Sequence, residues 1–191
     1  MQLFFSSSNP GKIKEIQALF SPQHHIITDS NCPEVIEDAS TFIENALRKA
    51  RQGCIYSKQA CLAEDSGLCV PLLNNAPGLY SARYAGENAS SKDNILKLTH
   101  EISAQGLQQT PGYFLCVMVM LRNDSDPAPI ICTGKCHGMV SITAKGSSGF
   151  GYDPIFYLPE QNKYMAELSI AQKNQLSARA HASKAMLQAL Q

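Results

Sequence analysis

The sequence predicts an α/β fold, and three of its features do so. Short apolar runs of strand character alternate along the chain with stretches whose apolar residues recur at helical spacing. Two of those runs end in polar, glycine-bearing turns, Ser6–Gly11 and Glu64–Gly67. Two longer apolar runs flank a strong turn signal, which points to an antiparallel pair. The 191 residues suit one domain over 1–191, with room for two lobes, and can bury a real core. No internal repeat or low-complexity linker interrupts them.

Leu3 to Phe5 reads as a short buried strand, broken by Ser6-Ser7-Ser8-Asn9-Pro10-Gly11. Ile13, Ile16, Leu19 and Phe20 recur at helical spacing and predict a helix after it. His25 to Thr28 is a second strand. Thr41-Phe42-Ile43-Glu44 has the form of a capping box, in which the two polar residues satisfy N–H groups left unpaired at a helix start. The helix it opens should turn Phe42, Ala46, Leu47, Ala50 and Cys54 inward and end near Gly53 to Ser57. Cys61-Leu62-Ala63 is a short buried strand with Glu64-Asp65-Ser66-Gly67 as its polar end. Ser90 to Ile102 predicts a helix with Ile95, Leu96 and Leu98 on its apolar side. Tyr113 to Arg122 and Ile130 to His137 are the paired strands, with Asn123 to Pro127 turning between them. Gly146 to Gly149 is a loop, and Tyr152 to Leu158 contains a short strand. Gln172 to Leu190 reads as one helix, with Ser169 and Gln172 as a second capping box.

Composition excludes several function classes. The 16 basic and 16 acidic residues cancel, which argues against a partner such as a nucleic acid polymer, since that needs a basic surface. The seven cysteines sit mostly inside apolar runs and read as reduced, buried thiols of a cytoplasmic protein. Cys132, Cys136 and His137 lack a second ligand pair at zinc spacing. The start Met1-Gln2-Leu3-Phe4-Phe5 has no basic segment of a signal peptide. The longest apolar run, Phe114 to Leu121, is too short to span a bilayer, so no membrane partner is expected.

Five constellations could carry chemistry. Ser7-Ser8-Asn9-Pro10-Gly11-Lys12 lies between a strand and a helix start, where unpaired N–H groups and the helix dipole favour phosphate. Gly11 permits close backbone approach and Lys12 adds a full charge. Read alone, the same segment is an ordinary turn with a solvated lysine. It is not a Walker A loop, because the earlier glycine is missing and Ile13 follows the lysine. Glu64-Asp65-Ser66-Gly67 puts carboxylates at a strand end, where open α/β sheets bind ligands and where magnesium finds oxygen donors. Alternation along a strand keeps Glu64 and Asp65 from facing one metal equally. Glu37-Asp38 either favours the following helix dipole or brings a second carboxylate to the metal. Glu44 is accounted for by the cap, and Lys49 is a solvated residue or a phosphate contact. Ser148-Gly149-Phe150-Gly151-Tyr152-Asp153-Pro154 can expose a ring for base stacking or bury its aromatics. Lys173 and Arg179, with Ser177 between, lie about 120° apart on a continuous helix and could bracket a ligand but not form one patch.

No single motif is decisive, but their order is. Ser-x-Asn-x-x-Lys (Ser7 to Lys12), Thr-Phe-x-Glu-Asn-Ala-x-x-Lys-Ala (Thr41 to Ala50), Glu-Asp-Ser-Gly-Leu (Glu64 to Leu68), Ala-Pro-Gly-x-Tyr-Ser-Ala-Arg-Tyr (Ala76 to Tyr84) and Gly-Phe-Gly-Tyr-Asp-Pro-Ile-Phe (Gly149 to Phe156) follow one another through most of the chain. The set closely resembles the inosine triphosphate pyrophosphatase family, the dITP/XTP house-cleaning nucleotidases. The Gly-Phe-Gly-Tyr-Asp-Pro segment is its most specific part. The resemblance implies an elongated mixed central sheet with flanking helices, two lobes separated by a substrate groove, and a homodimer. It implies a nucleoside triphosphate substrate and Mg2+. By position, Asp65 matches the catalytic base and metal ligand, and Glu37 the second metal-binding acid. Ser7, Ser8, Asn9, Pro10, Gly11 and Lys12 match the triphosphate loop, with Ser66 adjoining it. Lys49 matches a cation near the phosphates, and Phe150, Gly151, Tyr152 and Asp153 the base-recognition loop. Lys173 and Arg179 match further substrate contacts. Two positions depart from the family. Glu64 stands where many bacterial members have Asp. Ala178 stands in Ser177-Ala178-Arg179, where the family has a substrate-contacting histidine, and His181, one helical turn on, is the residue placed to substitute for it.

The implied reaction cleaves between the α- and β-phosphates of dITP, ITP or XTP and releases pyrophosphate. In it Asp65 takes a proton from water while Lys12 and Lys49 stabilise phosphate charge. Preference for hypoxanthine or xanthine over adenine needs a donor aimed at the 6-keto oxygen, from a backbone N–H near Phe150 to Asp153 or from Arg179. Two other classes remain open to the sequence. A nucleotide-sensing module would need no carboxylate cluster, and a phosphomonoesterase would release inorganic phosphate.

Overall fold

The computed structural model describes residues 1–21 and 23–191. Its elements in order are β1 (Gln2–Phe5), α1 (Pro10–Phe20), β2 (His25–Ile27), α2 (Phe42–Ser57), β3 (Cys61–Val70), β4 (Ala76–Pro77), α3 (Ser91–Ala104), β5 (Gln109–Leu121), β6 (Ile130–Ser141), β7 (Phe156–Leu158), β8 (Lys163–Tyr164), α4 (Ile170–Leu176) and α5 (Ala178–Ala189). The strands form one mixed sheet in the order β2-β1-β3-β5-β6-β7-β8, and β4 pairs with β3. β1 runs parallel to β2 and to β3. β3–β4, β6–β7 and β7–β8 are antiparallel. The α/β class is therefore as expected. The link between β5 and β6, residues 122–129, is too short for the crossover that a parallel pair needs, which agrees with the hairpin read from Asn123 to Pro127.

The chain divides into two compact units, each built from separate segments. The first comprises Met1–Asp65, Cys116–Gly134 and Ala178–Gln191; the second comprises Ser66–Leu115 and Lys135–Ser177. In the first, α1 packs on α5 and α2 on β1, around Leu3, Phe5, Ile16, Phe20, Leu62 and Leu121. Gly134 of β6 lets α5 come close. A Cβ there would lie 2.1 Å from the Ala178 carbonyl oxygen and 2.4 Å from the Ala182 nitrogen. The second unit closes on Leu68, Leu98, Ile102, Val140, Ile155 and Phe156.

Four expectations are corrected. β3 does not stop at Ala63 but runs to Val70, so Glu64 and Asp65 sit inside a strand rather than at its polar end. The polar run does not terminate it because Leu68-Cys69-Val70 is apolar again and pairs, through Cys69 and Val70, with β4. The last helix is two: Ser177, with ψ 154°, breaks it between α4 and α5. On α3 it is Leu98 that is buried, while Leu96 faces outward, 56% exposed. On α2 Phe42 and Leu47 are half-buried, whereas Asn45 and Lys49 lie inside with Ala46, Ala50 and Cys54. Both polar residues find partners there, which is the condition for burying them.

Candidate functional site

The strand-to-helix turn after β1 forms as its sequence dictates. Asn9 is the N-cap of α1 and accepts the Lys12 N–H at 3.1 Å, and Pro10 opens the helix where no N–H is needed. The Ser7 hydroxyl accepts the Asn9 N–H, and Ser8 donates to the Glu34 carboxylate at 2.8 Å. Lys12 does not reach into solvent; its ammonium lies 3.0 Å from Glu64.

Register explains how Glu64 comes near this turn. Phe5, the last residue of β1, pairs with Leu62, and the Ser6 N–H donates to the Leu62 carbonyl. β3 therefore overhangs β1, and Glu64 and Asp65 follow Leu62 after one intervening residue, Ala63. The carboxyl end of a strand is indeed beside the carboxylates, but it is the end of β1, not of β3.

The pleat then sends the two carboxylates to different partners. Asp65 accepts from Lys49 Nζ at 3.3 Å and from the Asn45 amide at 3.1 Å. Lys49 also reaches Glu37 at 2.8 Å, so one ammonium bridges two carboxylates. Burial pushes the Asp65 carboxyl up, and the attraction of Lys49 does not fully offset it. Burial works against the Lys49 ammonium, but Asp65 and then Glu37 outweigh it and hold the lysine protonated.

Glu64 belongs to a second, buried cluster. Arg179 grips it with two bonds, Nε to Oε2 at 2.7 Å and Nη2 to Oε1 at 2.9 Å, and turns Nη1 to Glu15. The Cys116 thiol donates to Glu64 Oε2 at 3.0 Å. Burial alone would raise the Glu64 carboxyl; Arg179 and then Lys12 outweigh it and hold it well below the usual carboxylate range. Burial and the adjacent carboxylate hold the Cys116 thiol protonated.

The second unit has its own constellation around the glycine-rich loop. Asp153 Oδ2 accepts the Phe150 N–H at 2.9 Å and Lys173 Nζ at 2.5 Å, and Lys173 lies 4.5 Å from the centre of the Phe150 ring. Gly149, at φ 79°, allows this wrap, since a Cβ there would meet the Asp153 carboxylate. Gly151 also takes a positive φ, 61°. Phe150 is half-buried, whereas Tyr152 turns inward and donates its hydroxyl to the Ser81 carbonyl at 2.9 Å.

Among the expected residues, the first unit therefore brings Lys12, Glu37, Lys49, Asp65 and Arg179 into two adjoining ion clusters. The second brings together Phe150, Asp153 and Lys173. Ser66 follows Asp65 in β3, half-buried. Lys173 and Arg179 do not share a helix face: the break at Ser177 separates them, and each has its own carboxylates. Ala178 is buried at the start of α5, and His181 is exposed. Glu44 serves its cap, its backbone N–H reaching the Thr41 hydroxyl and its carboxylate accepting from that hydroxyl. The sequence reading missed Glu15, Asn45 and Cys116. Glu15 and Asn45 carry a signal: each lies one helical turn from a residue of the apolar arc, Leu19 and Phe42 respectively. Cys116 carries none, since its apolar run looks like any buried strand.

Among the described residues no group of three or more His, Cys, Asp or Glu is placed to hold a metal ion. Magnesium does not require one. It is commonly held by one or two carboxylates together with substrate phosphates. Glu37 and Asp65, bridged by the ammonium of Lys49, are a donor pair of that kind. All seven cysteines are free thiols.

A mixed α/β sheet with a carboxylate–ammonium cluster beside a strand-to-helix turn defines a protein suited to phosphate chemistry. Comparison with known proteins agrees. Residues 3–189 match the Ham1 family, and the chain belongs to that family. It is 43% identical over 182 residues to a dITP/XTP pyrophosphatase of Legionella pneumophila (strain Paris), covering 95% of this chain and 94% of the relative. It is 44% identical to a dITP/XTP pyrophosphatase of Neisseria meningitidis serogroup B, covering 99% and 96%. The fold superposes on a HAM1 protein from Coxiella burnetii with a TM-score of 0.91 at 37% identity, covering 100% of this chain and 98% of the other.

Proposed function

We propose that this protein is a hydrolase that converts dITP, ITP and XTP to the monophosphate and pyrophosphate, and so clears such nucleotides from the pool. The observation that carries the proposal is the Glu37–Lys49–Asp65 cluster beside the Ser7–Lys12 turn, in a chain related over its whole length to dITP/XTP pyrophosphatases.

In this reading Ser7 to Lys12 bind the triphosphate through the helix start and the lysine charge. Lys49 and Arg179 supply further positive charge. Glu37 and Asp65 would hold Mg2+, which when bound supplies Lewis-acid stabilisation of phosphate charge. Asp65 accepts the proton of the attacking water; its raised affinity for protons brings it nearer the operating pH, as a general base requires. Phe150, with Gly151, Tyr152 and Asp153 forming its loop, offers a ring for base stacking. The Phe150 N–H is already given to Asp153, so the donor for a 6-keto oxygen is assigned to Lys173, which Asp153 holds against the ring. A 6-amino group in that place offers this ammonium no acceptor, which weakens binding by about 1–3 kcal/mol. Ala178, in place of the family's substrate-contacting histidine, removes one polar contact to the substrate. Assembly as a homodimer is part of the same proposal and is checked by sedimentation velocity. No helix among the described residues is long and apolar enough to cross a membrane.

The test is pyrophosphate release from dITP, XTP, dATP and dGTP with and without magnesium. Metal-dependent release from dITP and XTP, with dATP poorly used, is expected. Asp65→Asn should lower kcat by about 10²–10⁴-fold, the usual contribution of a general base. Inorganic phosphate as the product, or undiminished turnover in that variant, overturns the assignment.

A further inference from the structure

Glu64 organises the two cations Lys12 and Arg179, yet its own orientation needs an explanation. A carboxylate turns freely about its last bond, whose preferences are broad, so its plane is set by the donors around it. Lys12 and Arg179 reach Glu64 from two different helices through long, flexible stems. Cys116 reaches it from β5, the sheet neighbour of β3, through a single rotatable bond. Both side chains are sealed from solvent: Cys116 is 1% exposed and Glu64 2%. The thiol is thus the donor with the least freedom to move. It stands on Oε2, the oxygen that also takes Arg179 Nε, while Lys12 and Arg179 Nη2 share Oε1.

We propose that Cys116 is a positioning residue: its S–H, donated to Glu64 from the adjacent strand, sets the carboxylate plane that aligns Lys12 and Arg179. The proposal rests on the phosphate-binding roles assigned above to those two cations. It gives Cys116 a task that its apolar surroundings conceal. It also explains how a thiol is accommodated beside a carboxylate: as a donor it completes the acceptor's shell, whereas as a thiolate it would repel it.

The test compares Cys116→Ala and Cys116→Ser in the full chain. Alanine removes the donor; serine keeps a donor on the same bond but loses the sulfur's bulk. KM for dITP should rise about 3- to 10-fold in the alanine variant, the effect of one lost hydrogen bond, with kcat changed less than about two-fold. Serine should restore KM while Tm falls in both variants, because both lose packing. A purely structural role would make KM follow Tm, and that result, or an unchanged KM in the alanine variant, overturns the proposal. A second readout does not need turnover. The infrared difference between wild type and Cys116→Ser should show an S–H stretch displaced to lower frequency than those of the remaining cysteines. An undisplaced band refutes the thiol–carboxylate bond. If the wild-type protein releases no pyrophosphate, the functional reading fails, while the infrared result still decides whether Cys116 holds Glu64.

Discussion

Replacing Arg179 with Met removes the guanidinium but keeps most of the apolar stem. In the native protein that guanidinium makes two bonds to Glu64, at 2.7 and 2.9 Å, and a third to Glu15, and all three side chains are buried. The variant takes that guanidinium away from two buried carboxylates, while Lys12 and the Cys116 thiol still reach Glu64. Breaking a buried ion pair by removing one partner costs about 3–5 kcal/mol, because the surviving charge is desolvated without compensation. For a chain of this size each kcal/mol moves Tm by about 2–4 °C, so a fall of roughly 6–20 °C is expected. The deficit must depend on pH with a definite sign. With Arg179 present the folded-state Glu64 carboxyl titrates well below its unfolded value. Its stabilising contribution is therefore present above the unfolded value of about 4.3 and lost as pH falls through the folded one. Without Arg179, burial dominates and raises the folded value, so ionised Glu64 destabilises at neutral pH and ceases to do so once protonated. The gap between wild type and variant should thus be full near pH 7 and shrink toward about pH 4. Urea unfolding midpoints at the two pH values, at a common m-value, measure it. A deficit below about 1 kcal/mol, or one that acidification leaves unchanged, would refute the reasoning.

Three further outcomes are expected. Ser183 is buried on α5, and its hydroxyl finds no hydrogen-bond partner among the described residues, so Ser183→Ala should stabilise the protein by about 1 kcal/mol in urea unfolding. Gly134→Ala should destabilise it by about 1–3 kcal/mol, because the new methyl overlaps the backbone at Ala178 and Ala182; a thermal melt at or above the wild-type Tm would contradict the close approach. Glu37→Gln removes one of the two carboxylates at Lys49 and should raise the magnesium concentration needed for half-maximal pyrophosphate release by about ten-fold or more, whereas an unchanged requirement would remove Glu37 from the metal site.

Much of the site was legible because chemistry and local geometry leave traces at short range. A polar run with Asn9 and Pro10 ahead of an apolar helical period can hardly be other than a capped helix start. The alternation of strand residues already required Glu64 and Asp65 to part company, and they do. The glycines around Phe150 announced a loop of unusual backbone, and two of them take positive φ. Reading failed where a decision was made at long range. Glu64 to Gly67 look like a strand end, yet pairing with β4 draws β3 on to Val70. A helical wheel over residues 172–190 placed Lys173 and Arg179 on one cylinder, but Ser177 is extended and the two cations go to different carboxylates. Cys116 looked like one more buried thiol, because nothing in its own strand names the acceptor on the next.

By itself, then, the sequence determined the order of elements, the caps, the class of fold and the residue types able to handle phosphate, since these depend on contacts within a few residues. Only the tertiary structure decided which charge meets which. Residues 12, 15, 64, 116 and 179 come together through strand register and helix packing, and the free energy of a buried charge is set by those partners rather than by its neighbours in the chain.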